Sequence, residues 1–327
     1  MMFAGEFSMA ELKHGFANTN GIKMHYVEAG SGPLVVLCHG WPEAWYSWRH
    51  QLQALAEAGF RAVAPDQRGY GQTDKPEPIE AYNILNLVGD IVGLVNTLGE
   101  ERAVIVGHDW GAPVAWTSAL LRTDMFRGLG LLSVPYMQRS PVRPAVMFKA
   151  ITRDKNFYQE YFQEPGKVEK ELEEDVHKTM LGALYCASGD APAEDRFKFL
   201  FEKNQRLIDT FVIPEKLPPW LTEQDLAFFV NEFKQSGFRG GINWYRNADR
   251  NWELTAFLDG AKILRPTVFA AGARDIVMEM AADGYTNLEA NVANLFKKHL
   301  IPGAGHWIQQ ERHKEINQLL LDFLRSL

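Results

Sequence analysis

The sequence predicts an α/β protein, a mostly parallel sheet flanked by helices and interrupted by an inserted helical cap. Three observations carry this. Short apolar runs alternate with amphipathic stretches through residues 1–136, the β-α-β-α rhythm of a parallel sheet covered on both faces. Between residues 137 and 251 strand-like runs vanish and the text turns helical, aromatic and charged. Over residues 252–327 the first rhythm resumes. The expected organisation is therefore a core of residues 1–136 and 252–327, with a cap of residues 137–251 inserted into it.

The elements follow in order. Gly21 to Val27 alternates as a strand does, and Leu34-Val35-Val36-Leu37-Cys38 is a continuous apolar run of the buried-strand type. His39-Gly40-Trp41-Pro42 then breaks the run, and Trp45 to Ala58 reads as a helix. Arg61 to Pro65 is a short strand, and Tyr82 to Leu98 an amphipathic helix. Ala103 to Val106 is a strand, Ala112 to Leu121 a helix, and Leu129 to Ser133 a strand. The cap is expected to hold helices over Glu169 to Met180, Ala193 to Leu207 and Glu223 to Ser236. Thr267 to Ala271 and Lys298 to Ile301 return as strands. A last helix sets Ile316, Leu319, Leu320, Phe323 and Leu324 on one face.

Composition narrows the function. A net charge of −7 without a basic stripe argues against nucleic acid or an anionic membrane as partner. The two cysteines, Cys38 and Cys186, lack metal-ligand spacing, so neither a disulfide framework nor a zinc site is expected. No apolar run is long enough to span a bilayer. Met1 to Ala10 lacks the parts of a signal peptide and reads as an expression leftover or a short disordered tail, which makes a cytoplasmic enzyme the default, and the acidic, cysteine-poor composition allows a monomer or a homodimer. Gly69-Tyr70-Gly71 lacks the third glycine and the strand–helix context of a dinucleotide fingerprint. Many of the aromatic residues fall in the middle third, which suits an apolar substrate cavity as well as a core.

The chemistry concentrates at Gly107-His108-Asp109-Trp110-Gly111, between a strand and a helix. That is the context of a nucleophile elbow, with Asp109 pushed out at the turn and glycines where the backbone bends too sharply to allow a side chain. Serine there would attack an acyl carbon. A carboxylate suits a saturated carbon, because displacement yields an alkyl ester that water can cleave, whereas serine would leave an ether. The ester requires a base for water, and the base a partner to fix its tautomer. His306, in the loop Pro302-Gly303-Ala304-Gly305-His306-Trp307 before the last helix, is the candidate base. Asp275, directly after a strand in Gly272-Ala273-Arg274-Asp275, is the candidate orienting acid, although an aspartate there also suits a turn or helix cap. Two backbone N–H groups should hold the oxyanion, those of Trp110 and of Trp41. Pro42 suits a cis peptide bond that turns the Trp41 loop, or an ordinary turn. None of these steps calls for a metal or a cofactor.

With these residues together the chain resembles the α/β-hydrolase-fold epoxide hydrolases of the soluble, cytosolic kind. The likeness runs from about His14 to the C-terminus. It includes His39-Gly40-Trp41-Pro42-Glu43, Asp66-Gln67-Arg68-Gly69-Tyr70-Gly71, the Asp109 elbow, the segments Tyr158 to Gly166 and Asn243-Trp244-Tyr245-Arg246-Asn247, and Gly305-His306-Trp307. The resemblance implies the α/β-hydrolase fold, the order Asp109, Asp275, His306 for nucleophile, acid and base, and Tyr158 and Tyr245 as ring-opening donors. It sets the first donor at Tyr158 rather than at the nearby Tyr161. The physical need stands without it: epoxide opening makes an alkoxide, and two phenols that stay protonated at neutral pH can grip and protonate it. His39, Pro42, His108 and Trp307 are expected around the substrate, a small apolar epoxide that reacts with water. The elbow alone also fits a haloalkane or haloacid dehalogenase, in which the Trp110 indole would bind halide. Those enzymes commonly set Asn where Trp41 stands, so Trp110 is expected to shape the pocket. A receptor-like binding module and an esterase are the other rivals, disfavoured by the complete set of nucleophile, acid and base and by Asp109 itself. Some cytosolic relatives carry an N-terminal phosphatase-like domain. Nothing before His14 could form one, so no lipid-phosphate activity is expected.

Overall fold

The structure, a computed structural model, describes residues 10–327. The expectation for Met1 to Ala10 therefore lies, but for Ala10, outside the described residues. The strands are β1 (Lys13–Thr19), β2 (Ile22–Ala29), β3 (Leu34–Cys38), β4 (Arg61–Pro65), β5 (Ala103–His108), β6 (Phe126–Leu132), β7 (Lys155–Phe157), β8 (Leu200–Glu202), β9 (Thr267–Gly272) and β10 (Leu295–Ile301). Eight of them form one sheet in the order β1-β2-β4-β3-β5-β6-β9-β10. The edge pairs β1–β2 and β2–β4 are antiparallel, and every other pair is parallel. The helices of the first half are α1 (Arg49–Glu57), α2 (Ile84–Thr97) and α3 (Gly111–Leu121). Those between β6 and β9 are α4 (Pro144–Ile151), α5 (Tyr158–Tyr161), α6 (Lys167–Glu174), α7 (Val176–Cys186), α8 (Glu223–Ser236), α9 (Arg239–Arg246) and α10 (Ala248–Leu254). The remainder are α11 (Val277–Met280), α12 (Ala282–Thr286), α13 (Leu288–Asn291), α14 (Ile308–Glu311) and α15 (His313–Arg325).

Side-chain alternation in the parallel strands explains the layers. Val35 and Leu37 of β3, with Val104 and Val106 of β5, face Leu52 of α1 and Ile316, Leu320 and Phe323 of α15. Val36 and Ile105 point the other way, toward Leu87 and Ile91 of α2 and Val114 and Ala115 of α3. That second core runs on into the cap through Phe157, Phe162, Met180 and Trp244. The five apolar residues expected on one face of the last helix are all buried. Among the described residues no helix is long and apolar enough to cross a membrane.

The register matters most for function. Cys38 pairs with Gly107, Leu132 with both His108 and Ala270, and Gly272 with Ile301. The C-terminal ends of β3, β5, β6, β9 and β10 thus finish along one edge. Ligands of open parallel sheets bind in the crevice outside such an edge.

The cap departs from the sequence reading in three places. Ala193 to Leu207 is not a helix: it contains β8, which pairs antiparallel with β7. The alternation Phe197-Lys198-Phe199-Leu200-Phe201 is a period-two pattern, and the apolar content had masked it. Glu169 to Met180 is two helices, because Asp175 leaves helical geometry and its side chain accepts the Lys178 N–H at 3.0 Å, capping α7. The expected boundary after residue 251 falls inside α10. The helix Glu223–Ser236 stands as read, opened by a capping box between Thr222 and Asp225.

Candidate active site

The elbow forms between β5 and α3. Asp109 itself takes the left-handed backbone, with φ at 49°, which lifts its side chain out of the turn. The flanking glycines do a different job from the one expected. Neither has positive φ; instead a Cβ at Gly107 would collide with the Gly111 carbonyl, and one at Gly111 with the Cys38 carbonyl. They permit close packing rather than an unusual dihedral.

Asp109 then meets loops from three other strand ends. Its Oδ1 accepts the Trp41 N–H at 2.8 Å, from the loop after β3 that carries the cis Trp41–Pro42 bond. Its Oδ2 lies 3.5 Å from His306 Nε2. His306 Nδ1 is 3.0 and 3.2 Å from the two Asp275 oxygens, a geometry in which Nδ1–H donates and Nε2 faces Asp109. Asp275 Oδ1 also accepts the Val277 N–H at 2.9 Å, so the capping role and contact with His306 coexist in one carboxylate. Among the described residues the Trp110 N–H has no protein acceptor.

Opposite Asp109, the cap presents Tyr158 at the start of α5 and Tyr245 on α9, both buried, with ring centroids 5.9 Å apart. The Tyr158 hydroxyl accepts Gln159 Nε2 at 2.7 Å, which leaves its own proton free to donate. Tyr161, the neighbour with which it could be confused, turns away: its hydroxyl donates to Glu171 and its ring packs on Phe201. Burial, the largest influence, raises the pKa of Tyr158 and of Tyr245 above the usual phenol value, and the Asp109 charge adds to both. Both phenols are neutral donors at physiological pH.

For His306, burial is again the largest influence and pushes its pKa down. The carboxylates of Asp275 and Asp109 together outweigh burial and hold it well above the ordinary value. The two carboxylates thus favour the protonated imidazole.

Asp109, Tyr158 and Tyr245 lie where two lobes of a cavity meet. An inner lobe, a narrow space of about 40 Å³, is lined by Trp41, Pro42, Phe197, Phe199, Ile276, His306 and Trp307 among others. An outer lobe is lined by Trp110, Met137, Met147, Phe148 and Met280 among others. Trp110 shapes this lobe as expected, its ring edge-on to Tyr245 at 5.1 Å. Two expected pocket residues do not line either lobe. His39 is sealed beneath the Trp41 loop, bonded to the Gly40 carbonyl at 2.9 Å and to the Gln67 N–H at 3.1 Å. His108 lies behind the elbow, where Nδ1 is 2.6 Å from Glu43 and Nε2 is 2.8 Å from the His306 carbonyl. Strand alternation explains the second case, since His108 still belongs to β5 and points into the core rather than out of the turn. The reading also missed Phe197 and Phe199, for which the overlooked alternation was the signal. Ser133 and Glu311 gave no signal at all. Ser133 Oγ donates to the His306 carbonyl at 2.8 Å, and Glu311 accepts the N–H groups of Gly305 and Trp307 at 2.8 and 3.0 Å.

Comparison with known proteins fits this geometry. Residues 33–312 match the family model described as the alpha/beta hydrolase fold. Epoxide hydrolase A of Mycobacterium tuberculosis is 46% identical over 316 residues, which cover 95% of this chain and 96% of the relative. A solved epoxide hydrolase from an endophytic Streptomyces superposes with a TM-score of 0.93 at 46% identity, covering 96% of each chain. Epoxide Hydrolase A from Mycobacterium thermoresistibile gives 0.92 at 45% identity, over 97% of this chain and 99% of that one.

Proposed function

Because this chain belongs to the α/β-hydrolase fold family, and within it to the epoxide hydrolases, we propose that it converts epoxides to vicinal diols through a covalent ester on Asp109. The observation that carries the residue roles is a carboxylate at the elbow, facing two buried phenols across one apolar cavity, with an imidazole beside it. Asp109 Oδ1 is held by the Trp41 N–H, so Oδ2 is the free atom for attack on the epoxide carbon. As the carbon–oxygen bond breaks, Tyr158 and Tyr245 hydrogen-bond the leaving oxygen and deliver a proton.

Esterification removes the charge on Asp109. Burial and Asp275 are then left to set the imidazole, and the balance moves toward the neutral base. His306, held by Asp275, takes a proton from water as it adds to the ester carbonyl. The N–H groups of Trp41 and Trp110 receive the charge on Oδ1. Collapse breaks the bond from the ester carbon to Oδ2, the departing alkoxide takes the proton held by His306, the second proton of the water restores the tyrosine that donated, and the water oxygen stays in the Asp109 carboxylate. The reaction calls on a small apolar epoxide and water alone. A cytoplasmic location, as monomer or homodimer, belongs to the same proposal and is supported by two buried free thiols, Cys38 and Cys186.

The test is a single turnover in oxygen-18 water with enzyme in excess. We expect the label in the Asp109 carboxylate and none in the first diol, read by mass spectrometry of the peptide and the product. Label in the first diol would mean that water attacks the epoxide in one step, and the ester route would be abandoned.

A further inference from the structure

The two lobes differ in how they meet solvent. The residues lining the inner lobe are all buried or part-buried. The outer lobe carries an exposed rim of Met137, Met147, Ile151, Leu200 and Met280, each between 39 and 43% accessible. An epoxide that enters past this apolar collar would reach Asp109 with one arm toward the inner lobe and the other toward the rim. Flexible methionines at a rim accommodate apolar groups of varied shape.

Charge is distributed just as unevenly. No lysine or arginine lines either lobe. Beyond Asp109, the lining of the outer lobe has one charged side chain, Glu279, on α11 at the exposed rim. Among the described residues only its backbone N–H is engaged, donating to the Ile276 carbonyl at 3.1 Å, and its carboxylate makes no hydrogen bond or ion pair. Lys149 and Arg153, in α4 and just after it, and Lys198, beside Phe199 and Leu200, are basic residues near the rim that do not line the lobe. Arg139 lines a separate groove and stacks on Trp252. A substrate carboxylate would thus find repulsion at the mouth, no lysine or arginine to pair with inside, an imidazole at His306 already engaged by Asp275 and Asp109, and a second negative charge at the nucleophile. Desolvating an anion without a partner is unfavourable by far more than desolvating its ester. The net charge of −7 adds a long-range field of the same sign.

We propose that this site selects epoxides without a negative charge, neutral or amine-bearing on the outer arm, and that Glu279 is the charge filter at its mouth. The proposal rests on the epoxide-hydrolase reading and names the substrate class of that site. Glu279 touches no reacting atom, so it acts on entry and binding, and its effect belongs in KM rather than in the alkylation step.

The experiment compares three matched epoxides that share one inner arm and carry a methyl ester, a primary amine or a carboxylate at the end of the outer arm. In the wild type at low ionic strength, we expect kcat/KM for the carboxylate to be at least about tenfold below that of the ester, with the amine near the ester. E279K should raise the carboxylate value about three- to tenfold, through KM, leave the ester unchanged, and lose that gain as salt is added. E279Q should give a smaller gain of the same sign. Because the Glu279 side chain is exposed and unbonded, neither change should affect folding, and the ester rate reports this directly. Equal use of ester and carboxylate by the wild type, or an E279K ratio identical to the wild-type ratio, would overturn the filter and leave the hydrolase reading intact. No diol from the ester would overturn both.

Discussion

The two halves of the site are held by different physics. Asp109, Asp275 and His306 come from strand ends of the sheet, and directed hydrogen bonds fix them. The His306 carbonyl alone accepts from His108 and Ser133, each at 2.8 Å, while Glu311 grips the N–H on either side of the imidazole. Tyr158 and Tyr245 come from the cap and are held mainly by rings. Phe162, Phe197, Phe199, Trp41 and Trp110 surround them with centroids between 5.0 and 5.8 Å. Directional bonds set an atom's position sharply, whereas ring packing fixes a volume and tolerates repacking. The proposed triad is thus the more sharply fixed part of the geometry. The cap is the part in which substrate shape can change without loss of the donors.

The hardest test of that division removes both cap donors and nothing else. Y158F with Y245F keeps the rings that fill the cap and deletes the two phenolic protons. Each positioned acid is worth about 10²- to 10⁴-fold, so alkylation of Asp109 should fall at least about 10³-fold in rapid-quench measurements, while the melting temperature stays near that of the wild type. Turnover at the wild-type rate would place ring opening on other groups and break the comparison. The mirror experiment lies on the core side. H306N should leave alkylation largely intact and slow ester hydrolysis by about 10²- to 10⁴-fold, so the intact protein accumulates a mass increment equal to the epoxide. Loss of both steps together would mean that His306 also organises the nucleophile.

The same division explains what the sequence disclosed. Asp109, His306 and the strands beneath them were legible because a parallel sheet writes its register as short apolar runs, and the residue after each run falls on the reactive edge. Asp275 was legible for that reason too, although the strand end alone did not separate its capping role from its contact with the imidazole. The cap resisted for a physical reason. Its packing is aromatic throughout, so the period-two Phe197-Phe199-Phe201 was lost among helices, and β7 and β8 went unseen. His39 and His108 were misjudged because adjacency to a motif was taken for a place in the cavity, and alternation along a strand sends neighbours to opposite faces. Tyr158 and Tyr245 came from resemblance; ring packing leaves no periodic trace from which to find them.

The smallest expected effect probes the link between the halves, the dependence of the base on the state of the nucleophile. In the resting protein burial lowers the His306 pKa, and Asp275 and Asp109 more than restore it. Alkylation from the cap side cancels the Asp109 charge while leaving burial and Asp275 unchanged. D109N makes the same change without a substrate, so the His306 pKa, followed by ¹⁵N-edited NMR titration, should fall relative to the wild type. The sign carries over to stability. A folded-state pKa raised above the unfolded value favours the fold fully below the unfolded value, and that contribution disappears as pH rises through the folded one. The wild type should therefore lose this increment over a window that starts near the ordinary histidine value of about 6.5 and extends upward. In D109N the upper end of the window should retreat. An imidazole that titrates identically in both proteins would show Asp275 alone setting its charge, and the nucleophile would then not ready its own base by becoming an ester.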